Sequence, residues 1–240
     1  MAIEPNTLEF ELLFYLTIVV IIAKVIFSLY LGIRILQKKK RVGEFQFDFM
    51  FGLFVLMLTL LISRIMLCYF DFFLTKLNED TYYLSPNIEV WKTATLISVI
   101  GFIVLLFIVD KRVLRFKFKG IPAYIMIGLA LFQFLYPVDS MEDFRFISMI
   151  GLFQMVVVAW VPLLFLYIGI KTPGLRKISF TIVIAILIYA GGGLLVGEHI
   201  LGPLRAAYGN EIHVLIFFVF VITKIIGLSL LSYSSTQFSM

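Results

Sequence analysis

Charge is what this sequence has least of. Asp, Glu, Lys and Arg together make up 15% of its 240 residues, where a soluble domain carries about a quarter. It has one cysteine, Cys68, and two histidines. A single cysteine excludes an internal disulfide, a Cys-based metal cluster and a CxxC redox centre. There is no GxSxG elbow, no HExxH helix, no DDxxD diphosphate site and no glycine-rich phosphate loop followed by lysine. The familiar signatures of hydrolytic and phosphate-handling enzymes are therefore missing, and enzymatic chemistry ranks below binding as an expectation.

Hydrophobic residues fill the space, at 62% of the chain with 26 phenylalanines. Mean hydropathy is +1.06. A membrane-spanning helix needs about 20 mostly apolar residues. Seven stretches reach or approach that length: 12–36, 49–74, 91–109, 121–138, 146–170, 178–196 and 212–232. The fourth is the shortest, bounded by Pro122 and Pro137. The expected fold class is all-α: a polytopic membrane protein with seven transmembrane helices, forming one domain over residues 1–240. The first stretch does not read as a cleavable signal, because Glu4, Glu9 and Glu11 precede a long apolar core and Lys38, Lys39, Lys40 and Arg41 follow it.

The connecting segments alternate in charge. The turns after the first, third and fifth stretches hold 13 cations against three acids, Glu44, Asp48 and Asp110. The other side holds four cations, Lys76, Lys92, Arg145 and Arg205, against twelve acids. The positive-inside rule then places the N-terminus outside and the C-terminus inside a multi-pass protein of the cell membrane. The net charge of +5 reflects this sidedness, meets anionic headgroups of the bilayer, and is no nucleic-acid signature. A faint repeat, Leu29-Tyr30-Leu31-Gly32-Ile33-Arg34 beside Leu166-Tyr167-Ile168-Gly169-Ile170-Lys171, suggests a 3+1+3 plan over 12–109 and 146–232.

Three cations interrupt apolar stretches at similar depth: Lys24, Arg64 and Lys224. Ionisable groups inside a bilayer are costly and mark functional sites by default. If they share a cavity, it is positive and suits a small anionic or amphipathic ligand, or a lipid. Asp71, two helical turns beyond Arg64, is the candidate counter-charge, and Trp160 with Pro162 marks a kink that shapes a cavity. Glu198, His199, Glu211 and His213 flank the last outer loop, 197–211, and form a candidate divalent-metal set. Gly191, Gly192, Gly193 and Gly197 suit close helix packing.

A mid-membrane lysine in a seventh helix, in an N-out bundle of this length, resembles the plan of microbial rhodopsins. That resemblance implies retinal on Lys224 as a Schiff base. The third stretch lacks the family's carboxylate counterion, and the sixth lacks its Trp and Pro, so retinal ranks below the other ligands. The plan is also loosely similar to the seven-helix input modules of prokaryotic sensors. The leading expectation is a receptor-like or sensor-like protein that signals to a separate membrane or cytoplasmic partner. The alternatives are a small 3+1+3 transporter or an accessory subunit of a membrane complex.

Overall fold

A computed structural model describes residues 7–196, 198–209 and 211–238, without the side chains of Glu198, His199 and Ala206. The described residues form helices and no strand. Nine α-helices follow in order: α1 Leu8–Val42, α2 Phe49–Tyr69, α3 Asn87–Ile108, α4 Ile121–Leu135, α5 Met141–Val158, α6 Trp160–Lys171, α7 Arg176–Leu195, α8 Glu198–Tyr208 and α9 Glu211–Phe238. Among the described residues six helical segments are long and apolar enough to cross a membrane, and α4 is a shorter apolar helix. The chain is a polytopic membrane helical bundle.

Side chains set the boundaries. Thr7 caps α1, accepting a hydrogen bond from Phe10 N at 3.3 Å. Asp48 caps α2 through Oδ1, 3.0 Å from Phe51 N, and its Oδ2 takes the Lys38 ammonium at 2.6 Å. One carboxylate thus starts α2 and anchors the end of α1. Ser140 and Asp143 close a reciprocal cap at α5.

Helices α2 and α3 end in the same way, at opposite ends of an antiparallel pair. Each adds a π-helical turn, Phe70–Leu74 and Val109–Val113. Thr75 N then bonds Phe70 O and Leu77 N bonds Asp71 O. Likewise Leu114 N bonds Val109 O and Phe116 N bonds Asp110 O. Left-handed backbone follows at Lys76 and Leu77, and at Arg115 and Phe116. The buried Asp110 carboxylate goes further, accepting from Phe118 N at 3.1 Å and Gly120 N at 2.6 Å to shape the entry to α4.

Two helix pairs are held by glycine. A Cβ on Gly101 of α3 would stand 2.0 Å from Thr59 Oγ1 and 3.0 Å from Leu56 Cα of α2. One on Gly227 of α9 would stand 2.8 Å from Tyr189 Cβ and 3.0 Å from Ala185 O of α7, and one on Gly192 would meet Thr223 Oγ1 at 2.0 Å. The absent side chains let main chains touch, the usual route to tight packing in lipid.

Three local features differ from the sequence expectation. The fifth span, Met141–Lys171, has the interruption expected from Pro162, which has no N–H to continue the ladder, but as a break at Ala159 that divides it into α5 and α6. The segment expected to be the last outer loop contains α8, whose Leu201 is buried. It is too short to span and so carries no hydropathy signal. The end of the chain, expected to trail as a tail from residue 233, stays helical to Phe238, whose ring packs on Phe49 at 5.7 Å and Phe165 at 5.3 Å.

Candidate functional site: an intramembrane cavity at Lys224

A cavity of about 370 Å³ lies among α2, α3, α4, α5, α6, α7 and α9, within the size range of small-molecule sites. Most of its wall is Leu, Ile, Val, Met and Phe. The polar groups are few: Ser98 of α3, Gln154 of α5, Tyr189 of α7 and Lys224 of α9. No Asp or Glu lines it among the described residues. Ser98, Gln154 and Lys224 lie 11 to 13 residues into their helices from the same end of the bundle, so they share one level. Below them the wall is apolar down to Phe49 and Leu231, where the Phe49–Phe165–Phe238 cluster forms a floor.

Lys224 is held rather than free. Its Nζ donates to Tyr189 O at 2.8 Å and lies 3.5 Å from that residue's ring centroid. Gly193 makes the room, since a Cβ there would stand 3.1 Å from Nζ. Gln154 Nε2 donates to Gln133 Oε1 at 2.9 Å, and Gln133 Nε2 donates to Ile147 O at 3.0 Å. These bonds tie α5 to α4 and leave the Gln154 carbonyl without a described donor. An amide inside an apolar stretch was a visible signal for Gln133 and Gln154; Ser98 and Tyr189 carried none.

Lys24 and Arg64 sit beside this cavity, not in its wall. Lys24 of α1 donates to Leu60 O of α2 at 2.9 Å. Arg64 Nη2 donates to Thr17 Oγ1 at 3.0 Å, and its guanidinium carbon lies 5.8 Å from the ring centroids of both Phe217 and Phe220. Its buried Nε has no partner. Lys24 on the Leu60 carbonyl, Arg64 against the Phe220 ring and Lys224 5.3 Å from that same ring bring the three side chains together across α1, α2 and α9. Counting along the sequence put the three at similar depth; it could not divide them between the cavity wall and its flank.

Asp71 makes no ion pair with Arg64 among the described residues, whose ion pairs are Lys38–Asp48 and Arg205–Glu79. Seven residues span about 10 Å of helix, and the Arg64 guanidinium is taken up instead by Thr17 and the Phe217 and Phe220 rings. Trp160 is also off the cavity wall; its ring meets Phe118 edge-on at 4.9 Å. For the metal set, the side chains of Glu198 and His199 lie outside the described residues. Glu211 is exposed, and His213 packs on Phe217 with a buried Nδ1 lacking a partner. No group of three metal-ligating side chains occurs among the described residues.

No protein-family model, no curated protein and no solved structure matches this chain.

Proposed function

We propose that this protein is a receptor-like membrane bundle that binds a small anionic or amphipathic ligand in the Lys224 cavity. It then passes the binding event to a separate partner by helix movement. The supporting observation is the cavity itself: an apolar chamber with one lysine and one amide at a single level and no carboxylate in its wall. Few, well-placed polar groups in an apolar pocket are the general form of a ligand site. The break at Ala159 lies in that wall with Val158, Val161 and Pro162, so occupancy bears on the one interrupted helix. The same break favours the transport reading second, since discontinuous helices at mid-membrane sites recur in carriers.

Gly151 supplies the test. It lines the cavity and a Cβ there meets nothing within 4 Å, so Gly151→Leu fills space without forcing the backbone. The purified protein is extracted with solvent and the extract analysed by mass spectrometry. A molecule present at near one equivalent in the native protein and depleted in the variant supports the site. Equal recovery from both refutes it. Proteoliposome uptake of that molecule then separates carrier from receptor.

A further inference from the structure

The cavity has a side door. Leu187 of α7 and Met155 of α5 both line it, yet Leu187 is 59% and Met155 43% exposed at the surface. A residue can do both only where the chamber opens. The opening lies between α5 and α7, because α5 packs on α4 whereas α7 packs on α6 and α9. Its rims are apolar and at span depth: Leu152, Phe153 and Val156 on α5 and Ile184 on α7 are also exposed. That surface faces hydrocarbon, so entry through it is from the membrane rather than from water.

The chamber also has a direction. Along α2 it runs from Phe49 to Leu60, about 16 Å at the helical rise. The polar groups stand at one end and the aromatic floor at the other. A volume of about 370 Å³ holds one chain, far less than a two-chain phospholipid. At the polar end stand the Lys224 amino group and the Gln154 amide; behind them Lys24 rests on the carbonyl of Leu60, itself in the wall, and the Arg64 guanidinium lies 5.8 Å from the Phe220 ring that Lys224 approaches to 5.3 Å. That field selects a negative head. The side-chain donors among the described lining residues are few, Lys224 and Gln154 with Ser98 and Tyr189, so the head is singly charged and small.

From this we infer that the ligand is a single-chain carboxylate amphiphile, of the fatty-acid class, which enters laterally between α5 and α7. Its carboxylate sits at Lys224 and its chain runs toward the Phe49–Phe165–Phe238 floor. This rests on the ligand-binding reading above and adds the head chemistry and the route.

The probe is a photoreactive palmitate analogue with a diazirine in its chain, added to the full chain in nanodiscs, with adducts mapped by mass spectrometry. Adducts are expected on α5, α7 and α9 around Met155, Leu187 and Leu228. Palmitate is expected to compete at least about tenfold better than hexadecanol, the worth of a charge-assisted hydrogen bond. Lys224→Gln should weaken labelling by a similar factor, and Lys224→Arg should retain most of it. If Lys224→Gln does not fold, the palmitate-to-hexadecanol ratio in the native protein decides alone. Labelling abolished by Gly151→Leu but competed equally by the alcohol overturns the carboxylate assignment and leaves the cavity reading intact. Labelling confined to the outer surface and unaffected by Gly151→Leu overturns both. Labelling inside the cavity that survives a bulky Leu187→Trp at the opening overturns the lateral route.

Discussion

The amino group of Lys224 lies 2.8 Å from the Tyr189 carbonyl oxygen and 3.5 Å from the centre of the Tyr189 ring. A single residue of α7 therefore satisfies the lysine twice, once through a lone pair and once through a π face. The contact requires α7 and α9 to be close, and Gly227 is why they are. Replacing Gly227 with Val should cost roughly 1–3 kcal/mol through overpacking against Tyr189 and Ala185. Gly128, where a Cβ meets nothing within 4 Å, should tolerate Ala. Thermal unfolding of the two variants in one detergent checks the contrast.

Lys24 and Thr17 should behave oppositely, although both are buried polar residues of α1. Lys24→Met removes a buried cation and leaves the Leu60 carbonyl in its helix. Replacing buried charge with an apolar residue of similar size is often neutral or stabilising. Thr17→Val instead strips the only described hydrogen-bond acceptor from Arg64 and should cost about 1–3 kcal/mol. A melting temperature that falls further for Lys24→Met than for Thr17→Val would contradict this account.

The amide chain from Gln154 through Gln133 to Ile147 O should set how firmly α5 is attached. Interhelical hydrogen bonds of this kind average about 0.6 kcal/mol in membranes. Gln133→Leu should therefore leave the fold intact while speeding amide hydrogen exchange along α5, with α7 and α9 unchanged. Uniform acceleration across all helices would show instead that the pair supports the entire bundle.

Orientation can be read with thiols. Cys68 is the only cysteine and is buried. After Cys68→Ser, a cysteine at Lys117 should react with a membrane-impermeant maleimide only after the cytoplasmic side is opened. One at Asp80 should react in intact cells. The reverse pattern would invert the topology expected from the positive-inside rule.

Hydropathy made the bundle legible because lipid exposure demands long apolar runs, and α1, α2, α3, α7 and α9 lie within a few residues of the stretches so defined. Helix α8 escaped because 11 residues are too few to register on a spanning scale. The depth of Lys24, Arg64 and Lys224 could be counted from the sequence, since each residue adds a fixed rise. Their directions could not. Whether a side chain faces the cavity or a neighbouring carbonyl depends on helix rotation, which packing sets. Arg64 shows the difference: counting placed Asp71 on its face, but the packing of α1 against α2 offers it Thr17.

The glycine contacts between α7 and α9 have a mechanical consequence. Where Gly227 meets the α7 main chain at Tyr189 and Ala185 and Gly192 admits the short Thr223 side chain, there is little side-chain packing to rearrange, and those two helices behave as one stiff plate. Across the chamber, α5 is joined to the rest through one amide chain, the cluster around Phe144, Ile147 and Ile150 in its first half, and Val157 and Val158 beside the interruption at Ala159. The compliance of the protein is therefore concentrated in one wall. On the ligand-binding proposal, a change in the contents of the chamber would displace α5 before the α7–α9 plate, so the direction of response would be built in before any ligand arrives.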